Sequence, residues 1–122
     1  MRTSGWLPLS VGFVVLLFTT ACAKPVSMVV YRGDLPFGRE GRLADGLVLV
    51  QGQSTILTAL AKDVYGKPTY SNPKWTVTAA DVIGLTSSNG SKVGVSGLRR
   101  GMTDIIVQDG AARYVVRGVR VR

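Results

Sequence analysis

The side chains able to do chemistry in this chain are few, and most are arginines. Arg99 and Arg100 sit between Gly97 and Gly101, and Arg113, Arg117, Arg120 and Arg122 recur along the C-terminal stretch. With 15 Lys and Arg against 7 Asp and Glu, the formal charge is +8. A positive field of this kind attracts anions: lipid head groups, cell-wall polymers or nucleic acid. Catalytic groups are scarce. The chain has no histidine and a single cysteine, Cys22. That removes histidine acid/base catalysis, Cys/His nucleophile pairs, the usual zinc ligand sets and any intramolecular disulfide. The aspartates are scattered and form no D-x-D-x-D loop, so no calcium site is expected. No nucleophile elbow or phosphate loop is present, and the expectation is no enzyme, no metal and no cofactor. Arg32-Gly33-Asp34 spells the integrin-binding tripeptide, but a triplet of this kind arises readily by chance.

The elements that must position these groups begin with an export segment. "MRTSGWLPLSVGFVVLLFTTACAK" has a basic start at Arg2, an apolar run from about Val11 to Phe18, and small residues before Cys22. This is the order of a secretory signal peptide, and the run is shorter than the roughly 18 residues of a membrane-spanning helix. Thr20-Ala21-Cys22 resembles the end of a bacterial lipoprotein signal. That resemblance implies cleavage after residue 21, lipidation of Cys22 and a membrane as partner. Ala21-Cys22-Ala23 also fits an ordinary small-x-small cleavage site, which leaves a soluble periplasmic or secreted protein as the alternative. Ala23 is not the aspartate that resembles an inner-membrane retention signal; in a diderm host that favours the outer membrane.

Removal of residues 1–21 leaves 101 residues with charge +7, the size of one immunoglobulin-like sandwich. Residues 22–45 read as a tether with one strand candidate, "VSMVVY", followed by the Gly-rich, charged "RGDLPFGREGRLADG". From residue 46 to 122, short β-like runs alternate with turn clusters. "KWTVTA" shows the period of two: Trp75, Val77 and Ala79 on one side, Lys74, Thr76 and Thr78 on the other. Such strands at this spacing, with no helical pattern after the signal, predict an all-β sandwich of about seven strands. The last run, "RYVVRGVRVR", keeps Tyr114, Val116, Val119 and Val121 on one face only if a bulge falls at Arg117-Gly118, which turns Arg113, Arg117, Arg120 and Arg122 outward.

From about Leu47 to Val121 the sequence resembles the bacterial immunoglobulin-like group 2 domain. The matching pieces are "VLVQGQSTILTALAKDVYG", "KWTV" and "VSGLRRGMTDIIV", the last with Gly97 and Gly101 bracketing a connection before Thr103, Ile105 and Val107 turn inward. The resemblance implies a surface or periplasmic β-sandwich without catalytic residues. It has no internal repeat, so a single copy is expected to act as a structural, adhesion or protein-interaction module of the cell envelope.

Two alternatives stand beside it. One is binding of a polyanion or cell-wall polysaccharide by Arg113, Arg117, Arg120 and Arg122 with Arg99 and Arg100. The other is an accessory subunit that joins an unidentified envelope protein by adding its last strand to that partner's sheet. Charges on a terminal edge strand also serve simply to block edge-to-edge pairing. Nucleic acid is not expected as a partner, because export separates the protein from most of it. Trp75 is expected in the core.

Overall fold

The computed structural model describes residues 24–122, so the signal segment and Cys22 lie outside the described residues. The alternating runs become nine strands: β1 Ser27–Arg32, β2 Val48–Leu49, β3 Ser54–Lys62, β4 Pro68–Thr69, β5 Lys74–Val77, β6 Ile83–Leu85, β7 Lys92–Gly97, β8 Gly101–Asp109 and β9 Ala112–Val121. Two of the nine, β2 and β4, are only two residues long. One sheet runs β1-β3-β7-β6 with β4 added to the end of β3, and the other runs β2-β9-β8-β5. All pairs are antiparallel except β2 with β9.

The two inner faces supply one core. Val30, Leu57, Val93 and Val95 come from the first sheet, and Trp75, Ile105, Val107, Val116 and Val119 from the second. Burying such apolar faces is the main favourable term in folding. Trp75 is buried as expected, and its indole N–H donates to the Gly90 carbonyl at 2.7 Å. Thr103 also points inward, accepting from the Ala79 N–H at 2.9 Å, so its hydroxyl is not stranded in the core.

The bulge falls where alternation required it. Thr103 faces Val119 and Ile105 faces Val116, so the single residue Asp104 on β8 opposes both Arg117 and Gly118 on β9. Gly118 has φ +70, a left-handed conformation that suits glycine, and its N–H donates to Asp104 Oδ1 at 3.0 Å. Asp104 thus serves the bulge.

Two expectations need correction. The stretch 22–45 is not a tether over its length, because the sandwich begins with β1. All six residues of that strand pair with β3, from Ser27 with Lys62 to Arg32 with Leu57. The segment after it then folds back on β1: Arg32 N–H donates to Arg42 O at 2.7 Å, Ala44 N–H donates to Val30 O at 3.0 Å, and Ala44 is fully buried.

The last strand is not a free edge either. β9 lies between β8 and β2, and its outer side is bonded from Gly46 N–H to Arg117 O and from Arg120 and Arg122 N–H to Leu47 and Leu49 O. Strand addition through residues 117–122 therefore lacks the row of unpaired backbone groups that it needs.

Candidate functional site: an arginine-bearing sheet face

Because β9 alternates on both sides of its bulge, Arg113, Arg117, Arg120 and Arg122 all emerge on the solvent face of the second sheet. Cross-strand neighbours complete that face. Arg113 stands opposite Gln108, Val115 opposite Ile106, and Arg120 opposite Met102. β5 adds Lys74 and Thr76, and β2 adds the exposed Val48 beside Arg120. The result is a half-buried apolar strip, Val115 and Ile106, flanked by cations.

The six arginines do not form one cluster. Arg100, Arg120 and Arg122 line a single shallow groove with Met102 at the end of the sheet, while Arg113 and Arg117 lie farther along the same face. Arg99 points elsewhere and pairs with Asp81 at 3.3 Å, both side chains well exposed, an arrangement that contributes little to stability. The tight connection that separates the two adjacent arginines depends on Gly97: a Cβ there would come within 3.1 Å of the Val50 carbonyl oxygen. Among the described residues, Arg100, Arg113, Arg117, Arg120 and Arg122 make no ion pair. Five guanidiniums without an ion pair, with Asp104 standing opposite Arg117 on the same face, supply planar, multidentate donors for phosphate, sulfate or carboxylate groups.

The loop between β1 and β2 builds a second surface on the other sheet. Thr58 Oγ1 donates to Gly33 O at 2.7 Å and accepts from Leu35 N–H at 3.2 Å, which pins the loop across β3. Leu60, on the outward side of β3, is buried beneath it. Phe37 stacks on Tyr70 with ring centroids 4.2 Å apart, forming one wall of a cleft that also includes Thr58, Ser91 and Lys92.

The RGD triplet is held down in this arrangement. Arg32 donates to the Leu43 and Asp45 carbonyls at 2.8 and 2.9 Å, and Asp34 pairs with Lys92. Burial and then the like charge of Arg42 lower the Arg32 pKa, with Asp45 acting in the opposite direction; a guanidinium nevertheless stays protonated. Behind it, the Tyr114 hydroxyl donates to Asp45 Oδ1, and burial followed by that bond pushes the phenol up to about 12.

Sequence reasoning placed the outward arginines and missed both Met102 in the groove and the Phe37–Tyr70 stack. The only signal for the stack was an aromatic residue in each of two loops, "LPFG" and "PTYSNP". Nothing local joins those two loops. Their meeting depends on β4 pairing with β3 and on Gly38 lying against the Pro68 ring. No group of three or more metal-ligating side chains occurs among the described residues.

Neither a protein-family model nor a curated protein matches this sequence. Its fold is similar to that of domains of the S-layer protein SbsC. The structure of surface layer protein SbsC domains 1-6 matches with a TM-score of 0.58 and 24% identity, over 80% of this chain and 13% of that one. Domains 5-6 match with a TM-score of 0.56 and 22% identity, over 81% of this chain and 45% of that one. Domains 4 and 5 match with a TM-score of 0.54 and 22% identity, over 80% and 53%. This chain thus spans about half or less of the length of these structures, and at such identities the likeness concerns the fold.

Proposed function

We propose that this chain is a non-catalytic structural or interaction module of the bacterial cell envelope or surface, exported by its N-terminal signal and held at a membrane by lipid on Cys22. The observation that supports the envelope-module reading is the two-sheet sandwich it shares with the domains of an S-layer protein, while the anchor rests on the resemblance of Thr20-Ala21-Cys22 to a lipoprotein signal. The group 2 immunoglobulin-like resemblance of residues 47–121 points the same way.

In mechanistic terms the work is presentation. The lipid supplies the membrane affinity, at roughly 0.8 kcal/mol per buried methylene, and the sandwich is a rigid support for whatever its outer faces meet. Cell fractionation of wild type and Cys22→Ser tests the anchor. The wild type is expected with the membrane and the variant in the soluble fraction; the same distribution for both would rule lipid anchoring out.

A second reading is favoured by the groove at Arg100, Arg120 and Arg122. Three unpaired guanidiniums around one depression suit an anionic polymer of the cell wall or surface. Retention on immobilised heparin, used as a generic polyanion, is expected to fall steeply with salt and further in an Arg100→Ala/Arg120→Ala/Arg122→Ala variant. Retention indifferent to both would dismiss it.

A further inference from the structure

The two ends of this sandwich differ: exposed tyrosines and lysines mark one, and arginines beside the exposed Val50, Leu98 and Met102 mark the other. Where the chain enters, Val26 N–H donates to Lys62 O at 2.8 Å, so the start of β1 lies beside the end of β3. The turn that follows β3 is rigid. Asp63 N–H donates to Lys67 O, Gly66 N–H donates to Asp63 O, and Asp63 Oδ1 accepts from the N–H groups of Tyr65 and Lys67. A turn secured in this way by its backbone and one aspartate has no need of apolar side chains. Its tip nonetheless carries Val64 and Tyr65, 67% and 70% exposed.

Tyr70 stands on the adjacent β4 end, 80% exposed, with Phe37 stacked on it. None of these four belongs to the core cluster; Phe37 and Tyr70 also wall the cleft on the first sheet, and exposed apolar side chains of this kind mark contact surfaces. Lys24 and Lys67 are exposed beside them. The opposite end, formed by Gln51–Ser54, Leu98–Gly101 and Arg122, carries the arginine groove.

We infer that the end bearing Val64, Tyr65, Tyr70 and Phe37 is a foot that rests on the lipid bilayer, leaving the arginine groove facing away from it. This rests on the proposed lipid anchor at Cys22. Three residues lie between Cys22 and Val26, and the four steps reach at most about 14 Å. The nine residues of β3 span roughly 30 Å from one end of the sandwich to the other. A domain held on so short a lead meets the membrane first with the end where its chain enters, and an upright stance then keeps the far end off the surface. The end that does meet the membrane carries tyrosines, whose apolar ring and polar hydroxyl suit the head-group region, with Lys24 and Lys67 placed for anionic head groups. The foot orients; the acyl chains hold. It follows that an anion bound by Arg100, Arg120 and Arg122 comes from the side opposite the anchoring membrane.

The acylated protein, reconstituted into phosphatidylethanolamine and phosphatidylglycerol vesicles, tests this directly. Lipidation occupies the Cys22 thiol, so Lys67→Cys and Met102→Cys each introduce a single site for a nitroxide label. The label at 67 is expected to be shielded several-fold from an aqueous nickel chelate and more accessible to oxygen, while the label at 102 stays aqueous. Adding Val64→Asp and Tyr65→Asp to the Lys67→Cys protein should abolish the shielding. These are exposed turn side chains, so folding is not what changes. Mass spectrometry of the same samples separates the two possible failures. Equal exposure at 67 and 102 in protein with acyl mass on Cys22 overturns the foot and leaves the anchor standing. Absence of acyl mass on Cys22 overturns both.

Discussion

Tyr114 and Asp45 tie the last strand to the loop before β2 by one hydrogen bond between side chains 69 residues apart in sequence. The phenol must stay protonated to donate that bond, which gives the contact a pH signature. Its pKa rises from 10.0 to about 12, chiefly through burial and secondly through the bond to Asp45. Between those values the folded state holds a proton that the unfolded state has released, so stability falls as pH rises. The contribution is complete below pH 10 and is lost as pH climbs through about 12. Tyr114→Phe should lower stability at pH 8 by about 1 kcal/mol, the usual worth of one hydrogen bond. It should also flatten the decline in stability between pH 10 and 12. Urea unfolding of both proteins across that range checks the sign; an equally steep alkaline decline in the variant would assign it to other groups.

At the scale of elements, the β9 bulge decides which side chains the second sheet shows to solvent. Without the extra residue at Arg117-Gly118, either Tyr114 and Val116 or Val119 and Val121 would leave the core, and the arginines of one half would enter it. A β-branched residue at Gly118 would have to adopt φ near +70, which costs roughly 1–2 kcal/mol. Gly118→Val should therefore destabilise by about that amount, and Gly118→Asn by clearly less, since asparagine tolerates the left-handed region. Thermal unfolding ranks the two, and equal losses would mean that the bulge is not held in that conformation.

The bulge was legible in the sequence because a register conflict is a local fact: two apolar pairs fell out of phase within one run. The β2 cover on β9 was not legible in that way. Val48-Leu49 is a two-residue parallel pairing fixed by its neighbours' hydrogen bonds, and no periodicity marks so short a strand. The same reason hid β4, and with β4 the Phe37–Tyr70 stack, whose partners are brought together only by tertiary pairing.

For the whole molecule, the decisive question is where the fold begins. Sequence patterning set that point at residue 46, because the glycines and charges of 32–45 look like a linker and the family resemblance starts at Leu47. The structure places it some twenty residues earlier, and energetics explain why the difference matters. Met28, Val30 and Tyr31 on β1, with Ala44 behind them, are buried against the core or the sheet edge. Full burial of a side chain of the size of Val or Met contributes about 1.5–3 kcal/mol. Three such side chains approach the entire 5–15 kcal/mol margin of an ordinary domain. Their removal would also uncover β3 along Leu57–Lys62, a long apolar strand left with unpaired backbone groups, which is a template for aggregation.

Expressed alone, residues 46–122 are therefore expected to be unfolded or aggregated, whereas residues 24–122 should unfold cooperatively. Circular dichroism with sedimentation distinguishes these outcomes. A soluble, cooperatively folded 46–122 fragment would show that β1 is an accessory to the sandwich. Loss of folding would show that the lead from Cys22 to the first strand is as short as the membrane foot requires.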